Sequence, residues 1–191
     1  MIIVNKYNKF MFKFRSKITI KLLGYFFLNP QKSHYINELA SILNLDIGNL
    51  FRKLRELEQE GILYSEMRGN QKYYGLNKDY SLLKEVKKAY NSKNGLPNLL
   101  ERKLNKLKNL EEAYLFGSYA QDNLQQESDI DILLIGNHSS LEAKRLILPL
   151  QKDIGREINI IDMSLKELEA RKRKKDEFIQ NIFSHKFIKI Y

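Results

Sequence analysis

The chain has 191 residues, of which 43% are hydrophobic and 29% are charged, and its formal net charge is +10. This length allows one large domain or two small ones, and the composition excludes disordered and low-complexity proteins. Cys is absent, which excludes disulfides and thiolate chemistry. The longest apolar run near the N-terminus, 22–28, is far shorter than the ~20 residues of a membrane helix. We therefore expect a cytoplasmic protein without a membrane partner.

Positive charge is concentrated in the first half of the chain. Residues 1–96 contain 17 Lys and Arg against 8 Asp and Glu, whereas residues 97–191 contain 16 against 15. A composition that is simply rich in lysine would charge both halves. The asymmetry therefore favours a domain that binds nucleic acid, beside a second domain that is nearly neutral.

The first half contains three predicted helices followed by a predicted hairpin. Apolar spacing and turn residues predict helices over 16–28, 35–43 and 47–60, and extended runs over 62–67 and 71–76. Asp46 is placed to cap the third helix, and Gly61 to end it in the left-handed conformation. Gly69 and Asn70 tolerate positive φ and close the hairpin. This order predicts a winged helix-turn-helix that binds double-stranded DNA.

The predicted DNA contacts come from the third helix and from the hairpin. The polar face of the helix presents Asn49, Arg52 and Lys53 to a groove, where Arg can bind guanine and Asn can bind adenine. Arg68 and Lys72 of the hairpin are placed to touch phosphate or the minor groove. Winged-helix proteins often bind two half-sites as dimers, so we also expect a homodimer.

Strands and helices alternate in the second half, which predicts an α/β sheet. The predicted strands are 113–116, 130–135 and 158–161, and the predicted helices are 79–90, 99–110, 141–154, 165–174 and 177–183, with an extended end over 187–191. Residues 91–98 contain Gly95 and Pro97 and are interpreted as a linker. We therefore predict a DNA-binding domain over 1–90, a linker and connecting helix over 91–110, and a second domain over 111–191.

One segment of the second domain is typical of phosphate and metal binding. Gly117 and Ser118 follow a predicted strand, and a ten-residue spacer separates them from Asp129-Ile130-Asp131. Gly117 allows a tight turn with close approach of backbone amides to a phosphate. Asp129 and Asp131 lie two residues apart on a strand, so their carboxylates face one side and can bind Mg²⁺ together with triphosphate oxygens.

This pattern resembles the minimal nucleotidyltransferases of the DNA polymerase β superfamily, over roughly Glu111–Tyr191. Together with "INELASILNLDIGNLFRKLRELEQEGIL", "RGNQKYYGLN" and "GREINIID", the chain resembles prokaryotic proteins that fuse an ArsR-like winged helix to such a domain. The resemblance implies an α+β or α/β two-domain protein whose second domain is a mixed sheet flanked by helices. It also implies that Gly117 and Ser118 hold the phosphates of a nucleoside triphosphate, with ATP expected, and that Asp129 and Asp131 bind Mg²⁺.

Two positions depart from the pattern of active relatives. Those relatives carry a third acid on the next strand, which deprotonates the attacking hydroxyl, and that position falls on Asn159. An amide cannot take a proton at neutral pH, so Asn159 is assigned to nucleotide binding and Glu157, two residues earlier, becomes the candidate catalytic base. The second departure is Asp122, an acid where many relatives have glycine.

Three hypotheses for the function stay open. The chain is a DNA-binding transcription regulator whose second domain transfers a nucleoside monophosphate to a hydroxyl, or one whose second domain has lost transfer and senses nucleotide. Alternatively, the resemblance implies an antitoxin that pairs with a HEPN-type toxin.

The basic run 171–175 is interpreted as a solvated helix end, with contact to nucleic acid or triphosphate as the alternative. The three His show no metal-ligand spacing and are expected at the surface.

Overall fold

A computed structural model describes Phe14 and residues 16–191, so residues 1–13 and 15 of the predicted first domain lie outside the described residues. The described helices are α1 (Lys17–Leu28), α2 (Ile36–Leu43), α3 (Ile47–Gln59), α4 (Leu83–Asn94), α5 (Leu96–Leu104), α6 (Gly117–Ala120), α7 (Ser140–Ile147), α8 (Leu150–Ile154), α9 (Leu165–Arg173) and α10 (Glu177–Ser184). The strands are β1 (Ser33–Tyr35), β2 (Leu63–Arg68), β3 (Gln71–Leu76), β4 (Leu110–Phe116), β5 (Ile130–Gly136), β6 (Ile158–Met163) and β7 (Ile188–Lys189). None of the described helices is long and apolar enough to cross a lipid bilayer.

The N-terminal unit packs helices α1–α4 with an antiparallel sheet of order β1-β3-β2. The predicted end signals of α3 are confirmed. The Asp46 carboxylate accepts a hydrogen bond from the backbone N–H of Asn49 at 2.9 Å, and Gly61 ends the helix with φ of +80°. Gly69 turns the hairpin at φ of +58°. The short strand β1 was not predicted, because three residues are too few to show alternation.

The predicted linker over 91–98 is mostly helical. Helix α4 runs on to Asn94 and α5 begins at Leu96, so Gly95 alone interrupts the helical path. Pro97 lies in the first turn of α5, where a missing backbone N–H removes no helical hydrogen bond. The single helix predicted over 141–154 is wrong, because Pro149 separates α7 from α8.

The C-terminal domain contains a mixed sheet of order β6-β5-β4-β7, in which β5 and β6 are parallel and the other pairs are antiparallel. Apolar side chains of α5, α7 and α8 cover one face of this sheet. Those of α9 and α10 pack on the other face, against Tyr114, Leu133 and Met163. Because side chains alternate along a strand, Asp131 points to the same face as Leu133. The carboxylate therefore lies at the open end of the face that α9 and α10 cover.

Two histidines are less exposed than the sequence analysis expected. His34 shares a 2.7 Å hydrogen bond between its Nε2 and the Tyr25 hydroxyl. The side chain of His138 is 1% exposed, and its Nε2 lies 2.9 Å from Oδ1 of Asp162. A polar partner makes burial of an imidazole tolerable. Tyr25 lies nine positions from His34, and Asp162 lies 24 positions from His138. The pair of His138 and Asp162 lies at the far end of β5 and β6 from Asp131.

Candidate functional site

Two carboxylates and one amide converge where β5 and β6 begin. Asp131 is the second residue of β5, Asp129 directly precedes that strand, and Asn159 lies beside Asp131 in the parallel register of β6. The Nδ2 group of Asn159 donates hydrogen bonds to Oδ2 of Asp129 at 3.1 Å and to Oδ1 of Asp131 at 3.2 Å. The amide therefore bridges the two acids that the sequence motif singled out.

Within the described residues, neither carboxylate of this cluster makes an ion pair, and the buried Arg156 interacts with Asp129 electrostatically without a hydrogen bond. Partial burial raises the pKa of Asp131, the charge of Asp129 raises it further, and the hydrogen bond from Asn159 opposes both effects. A divalent cation between the carboxylates would relieve their repulsion. Mg²⁺ is usually held by one or two carboxylates together with substrate phosphates and water, and Asp129 and Asp131 fit that requirement. Within the described residues, no group of three or more His, Cys, Asp and Glu gathers into a metal site.

Gly117 brings the backbone against this cluster. It takes φ of +68° at the start of α6, and a Cβ at this position would collide with Oδ2 of Asp131. The Gly-Ser turn and the aspartate pair, 12 residues apart from Gly117 to Asp129 in the sequence, thus meet in the fold. The hydroxyl of Ser118 makes no hydrogen bond to any described residue, so it is available to a ligand.

We expect Gly117→Ala to destabilise the fold more than Gly69→Ala does. Both glycines have positive φ, which costs an alanine about 1–2 kcal/mol, but a Cβ at Gly69 meets nothing within 4 Å. Gly117→Ala should lose additional stability, because its Cβ would displace the Asp131 carboxylate. Chemical denaturation of the two variants measures the difference, and equal losses would contradict the contact between Gly117 and Asp131.

Glu157 stands apart from the carboxylate pair. It precedes β6, its side chain is exposed, and its carboxylate has no hydrogen-bond or ion-pair partner among the described residues. Its backbone carbonyl accepts a hydrogen bond from the N–H of Ile130 at 3.0 Å, which joins the starts of the two parallel strands. Glu157 therefore remains a candidate base by sequence position alone, while Asn159 occupies the bridging place.

Most of the predicted DNA-contacting side chains are engaged within the N-terminal unit. Lys53 pairs with Glu56, Arg68 with Glu66, and Lys72 with Glu58. The remaining two bond to each other, since Nη2 of Arg52 donates to Oδ1 of Asn49 at 3.1 Å. Asn49 and Arg52 of α3 and Arg68 and Lys72 near the turn of the hairpin are exposed, whereas Lys53 is partly buried.

The exposed face of α3 also carries apolar residues that the sequence analysis did not expect there. Ile47 is 49% exposed and Phe51 is 46% exposed, and the guanidinium of Arg55 lies 5.9 Å from the Phe51 ring centroid. Helical spacing groups Ile47 with Leu50 and Leu54, both of which are fully buried. The position of Ile47 in the first turn of the helix turns it outward instead.

Arg156 lies near the candidate site. In the sequence it stood out only as part of the segment GREINIID. It is 7% exposed and, with Asn29, is one of two buried polar or charged residues in the described part of the chain. Its guanidinium donates to carbonyls of the loop that leads to Asp129 and to the carbonyl of Leu28. The only sequence signal was a basic residue two positions before a buried strand.

A cavity of about 610 Å³ lies at the junction of the N-terminal unit and the C-terminal domain. Its walls include Phe27, Tyr90 and Leu96 and, from the end of α6, Tyr119 and Asp122. Neither Asp129 nor Asp131 lines it. The cavity is therefore a separate feature from the carboxylate cluster.

A mixed sheet with an aspartate pair at the start of one strand, beside a glycine turn that ends its neighbour, has the organisation of a nucleotidyltransferase-type domain. Residues 98–188 match the profile of the family described as "Polymerase beta, Nucleotidyltransferase". These residues form a nucleotidyltransferase domain. No curated protein matches the chain.

Two crystal structures are similar to part of the chain. A toxin-antitoxin with AMP-PNP is 20% identical with a TM-score of 0.38, and the match covers 50% of this chain and 73% of that chain. A mutant of the toxin-antitoxin MntA-HpeT is 17% identical with a TM-score of 0.37, over 50% of this chain and 72% of that chain. At this distance, the assignment of the domain rests on the family profile.

Proposed function

We propose that this protein is a DNA-binding regulator whose C-terminal nucleotidyltransferase domain binds a Mg²⁺-bound nucleoside triphosphate, with ATP as the expected nucleotide. The N-terminal unit, residues 1–90, acts as a winged helix-turn-helix, 91–110 connect the two parts, and 111–191 hold the nucleotide site. The observation that carries the nucleotide assignment is the convergence of Asp129, Asp131 and the Gly117 turn.

Each residue of the cluster has a task in this proposal. Asp129 and Asp131 hold the cation, which neutralises triphosphate charge when bound. The backbone at Gly117 and the hydroxyl of Ser118 receive phosphate oxygens, and glycine is required because a Cβ would displace Asp131. The Asn159 amide donates a hydrogen bond to each carboxylate and so holds the two side chains near each other.

Nucleotide sensing is better supported than nucleotide transfer. The place where active relatives carry a base is occupied by Asn159, whose N–H group already donates to both carboxylates. An amide cannot accept the proton of an attacking hydroxyl. Transfer with Glu157 as a displaced base is the second candidate, because that residue lies two positions before Asn159 and is exposed to solvent.

Calorimetry with ATP tests the nucleotide assignment, first in Mg²⁺ and then in EDTA. Tight binding that depends on the cation is the expected result, and equal affinity in the two conditions would contradict the metal site. Pyrophosphate release from the same mixtures separates the two candidates. Absence of turnover supports sensing, whereas turnover that Glu157→Gln abolishes supports the displaced base.

The charge of the N-terminal half and the exposed cations of α3 support DNA binding. Acidic partners hold three of the predicted contact residues. Arg52 makes no ion pair among the described residues, and Arg55 interacts with Glu58 electrostatically without a hydrogen bond. These two arginines therefore offer positive charge that a phosphate or a guanine could take without breaking an ion pair. The apolar neighbours Ile47 and Phe51 would meet sugar or thymine methyl groups.

We expect Arg52→Ala to weaken binding to a duplex of arbitrary sequence and to reduce the salt slope by about 1 if Arg52 touches a phosphate. Lys166→Ala removes the same charge from the exposed start of α9 in the other domain and should leave binding unchanged. Fluorescence anisotropy at several salt concentrations measures both variants. Affinity that does not fall with salt would overturn the proposal of DNA binding.

Homodimerisation and pairing with a HEPN-type toxin stay predictions of the resemblance. Both similar crystal structures are of toxin-antitoxin proteins, and pairing with a toxin is only a prediction for this chain. Light scattering on the purified protein tests the dimer.

A further inference from the structure

The loop that leads to Asp129 is held by one buried side chain. Nη1 of Arg156 donates to the carbonyls of Gln125 at 2.9 Å, Gln126 at 3.3 Å and Ser128 at 2.5 Å. Ser128 directly precedes Asp129 in the sequence. Residues 121–129 form neither a helix nor a strand, so convergence of three carbonyls on one nitrogen is a main constraint on the path of this loop.

The same guanidinium reaches the N-terminal unit. Nε of Arg156 donates to the carbonyl of Leu28 at 2.7 Å, and Leu28 is the last residue of α1. The last carbonyls of a helix lack intrahelical donors and carry partial negative charge, so Arg156 both satisfies and neutralises the end of α1. No carboxylate within the described residues makes a hydrogen bond to this buried cation.

Asn29 makes a second bond across this junction. Its Nδ2 group donates to the carbonyl of Tyr25 at 2.9 Å and to that of Ile154 at 2.7 Å. The Tyr25 ring packs against Gly155, where a Cβ would collide with it. Asn29 thus fastens α1 to the turn before Arg156, but it does not touch the loop that carries Asp129.

We infer that Arg156 is a positioning residue for Asp129, through which divalent-cation affinity depends on the docking of α1 against the C-terminal domain. A shift of α1 would withdraw the Leu28 carbonyl, move the guanidinium and loosen the carbonyls that precede Asp129. Linkage is reciprocal, so cation and nucleotide binding would in turn stabilise the docked state of α1. This inference rests on the proposed metal–nucleotide site.

The test uses Mn²⁺ as the probe, with α,β-methylene-ATP, on the full chain. Arg156→Lys keeps the charge but cannot span the Leu28 and Ser128 carbonyls at once. We expect its Mn²⁺-dependent affinity to fall by about 10–100-fold, the usual effect of removing a residue that orients a metal ligand. Its affinity for the nucleotide in EDTA should stay within about twofold of the unmodified protein, since the Gly117 turn is untouched.

Asn29→Ala is the matched control, because it breaks a bond across the same junction without a bond to the loop. It should lower the melting temperature and reduce the Mn²⁺-dependent affinity less than Arg156→Lys does, because α1 is loosened while Arg156 still holds the loop. Equal losses of Mn²⁺ affinity in the Asn29 and Arg156 variants, or none in either, would overturn the inference. If the unmodified protein itself binds no Mn²⁺–nucleotide, the proposed function falls and this inference falls with it.

Hydrogen exchange on the unmodified chain gives a second measurement that needs no variant. Adding Mn²⁺ and the nucleotide should slow exchange of backbone amides in 128–131 and, across Arg156, of the Asn29 and Lys32 amides near the end of α1. Slowing confined to the C-terminal domain would overturn the link to α1 even if Arg156→Lys does not fold.

Discussion

Asn159→Asp is expected to release pyrophosphate from Mg²⁺–ATP at least about 100-fold faster than the unmodified protein, because a positioned general base contributes roughly 10²–10⁴-fold. The Nδ2 group of Asn159 lies 3.1 and 3.2 Å from the two aspartates. A carboxylate at the same place would complete a set of three acids around the cation, and it could accept a proton from a hydroxyl. The assay measures pyrophosphate and label transfer from α-labelled ATP, with a cell extract as the source of acceptors.

The control for this variant is Asn159→Ala, which removes the bridging amide without adding a base. Equal rates for the Asp and Ala variants would contradict the assignment of this position. The Asp variant should also have a lower melting temperature in EDTA, because three neighbouring carboxylates repel one another. Mg²⁺ should reverse that loss, since a ligand that binds only the folded state stabilises it.

Most helices of the fold could be predicted because their signals are local. The cap at Asp46, the left-handed end at Gly61 and the apolar spacing between them lie within one short stretch of chain. The predicted linker over 91–98 is mostly helical because Gly and Pro also occur at the boundary between consecutive helices, and Gly95 is such a boundary. Strand β1 could not be predicted, because it is defined by its pairing with β3, which lies about 40 residues further along the sequence.

The site was predictable where the motif is contiguous and unpredictable where contacts cross the fold. Spacing alone indicated that Asp129, Asp131 and Gly117 belong together, and the structure brings them into contact. It could not indicate that Asn159 donates to both acids, since that depends on the parallel register of β5 and β6. Arg156 and Leu28, 128 positions apart, share no sequence pattern at all.

The two unpredicted contacts, at Asn159 and Arg156, constrain the carboxylate cluster from different sides. Asn159 bridges Asp129 and Asp131 from β6, while Arg156 holds the loop immediately before Asp129. Neither residue provides a proton acceptor, and both provide N–H donors. Both contacts therefore hold carboxylates in place, which supports the proposed cation site and is the property that a nucleotide sensor needs.

Replacing both acids, Asp129→Asn with Asp131→Asn, should abolish Mg²⁺-dependent ATP binding while making the ligand-free protein more stable. The two carboxylates are the only acids of the cluster among the described residues, so their amides leave a cation without charged ligands. The stability gain follows from the sign of the Asp131 shift. Burial and Asp129 raise its pKa in the folded state, so the ionised form opposes folding at neutral pH.

Calorimetry in Mg²⁺ and thermal denaturation in EDTA measure the two effects on the same preparation. Glu101→Gln is the matched control, because it removes an exposed acid of α5 that makes no side-chain hydrogen bond or ion pair among the described residues, and it should change neither quantity. The combination of lost binding with gained stability cannot arise from a damaged fold, since damage lowers both. Unchanged affinity in the double variant would remove the basis for placing a cation between these strands.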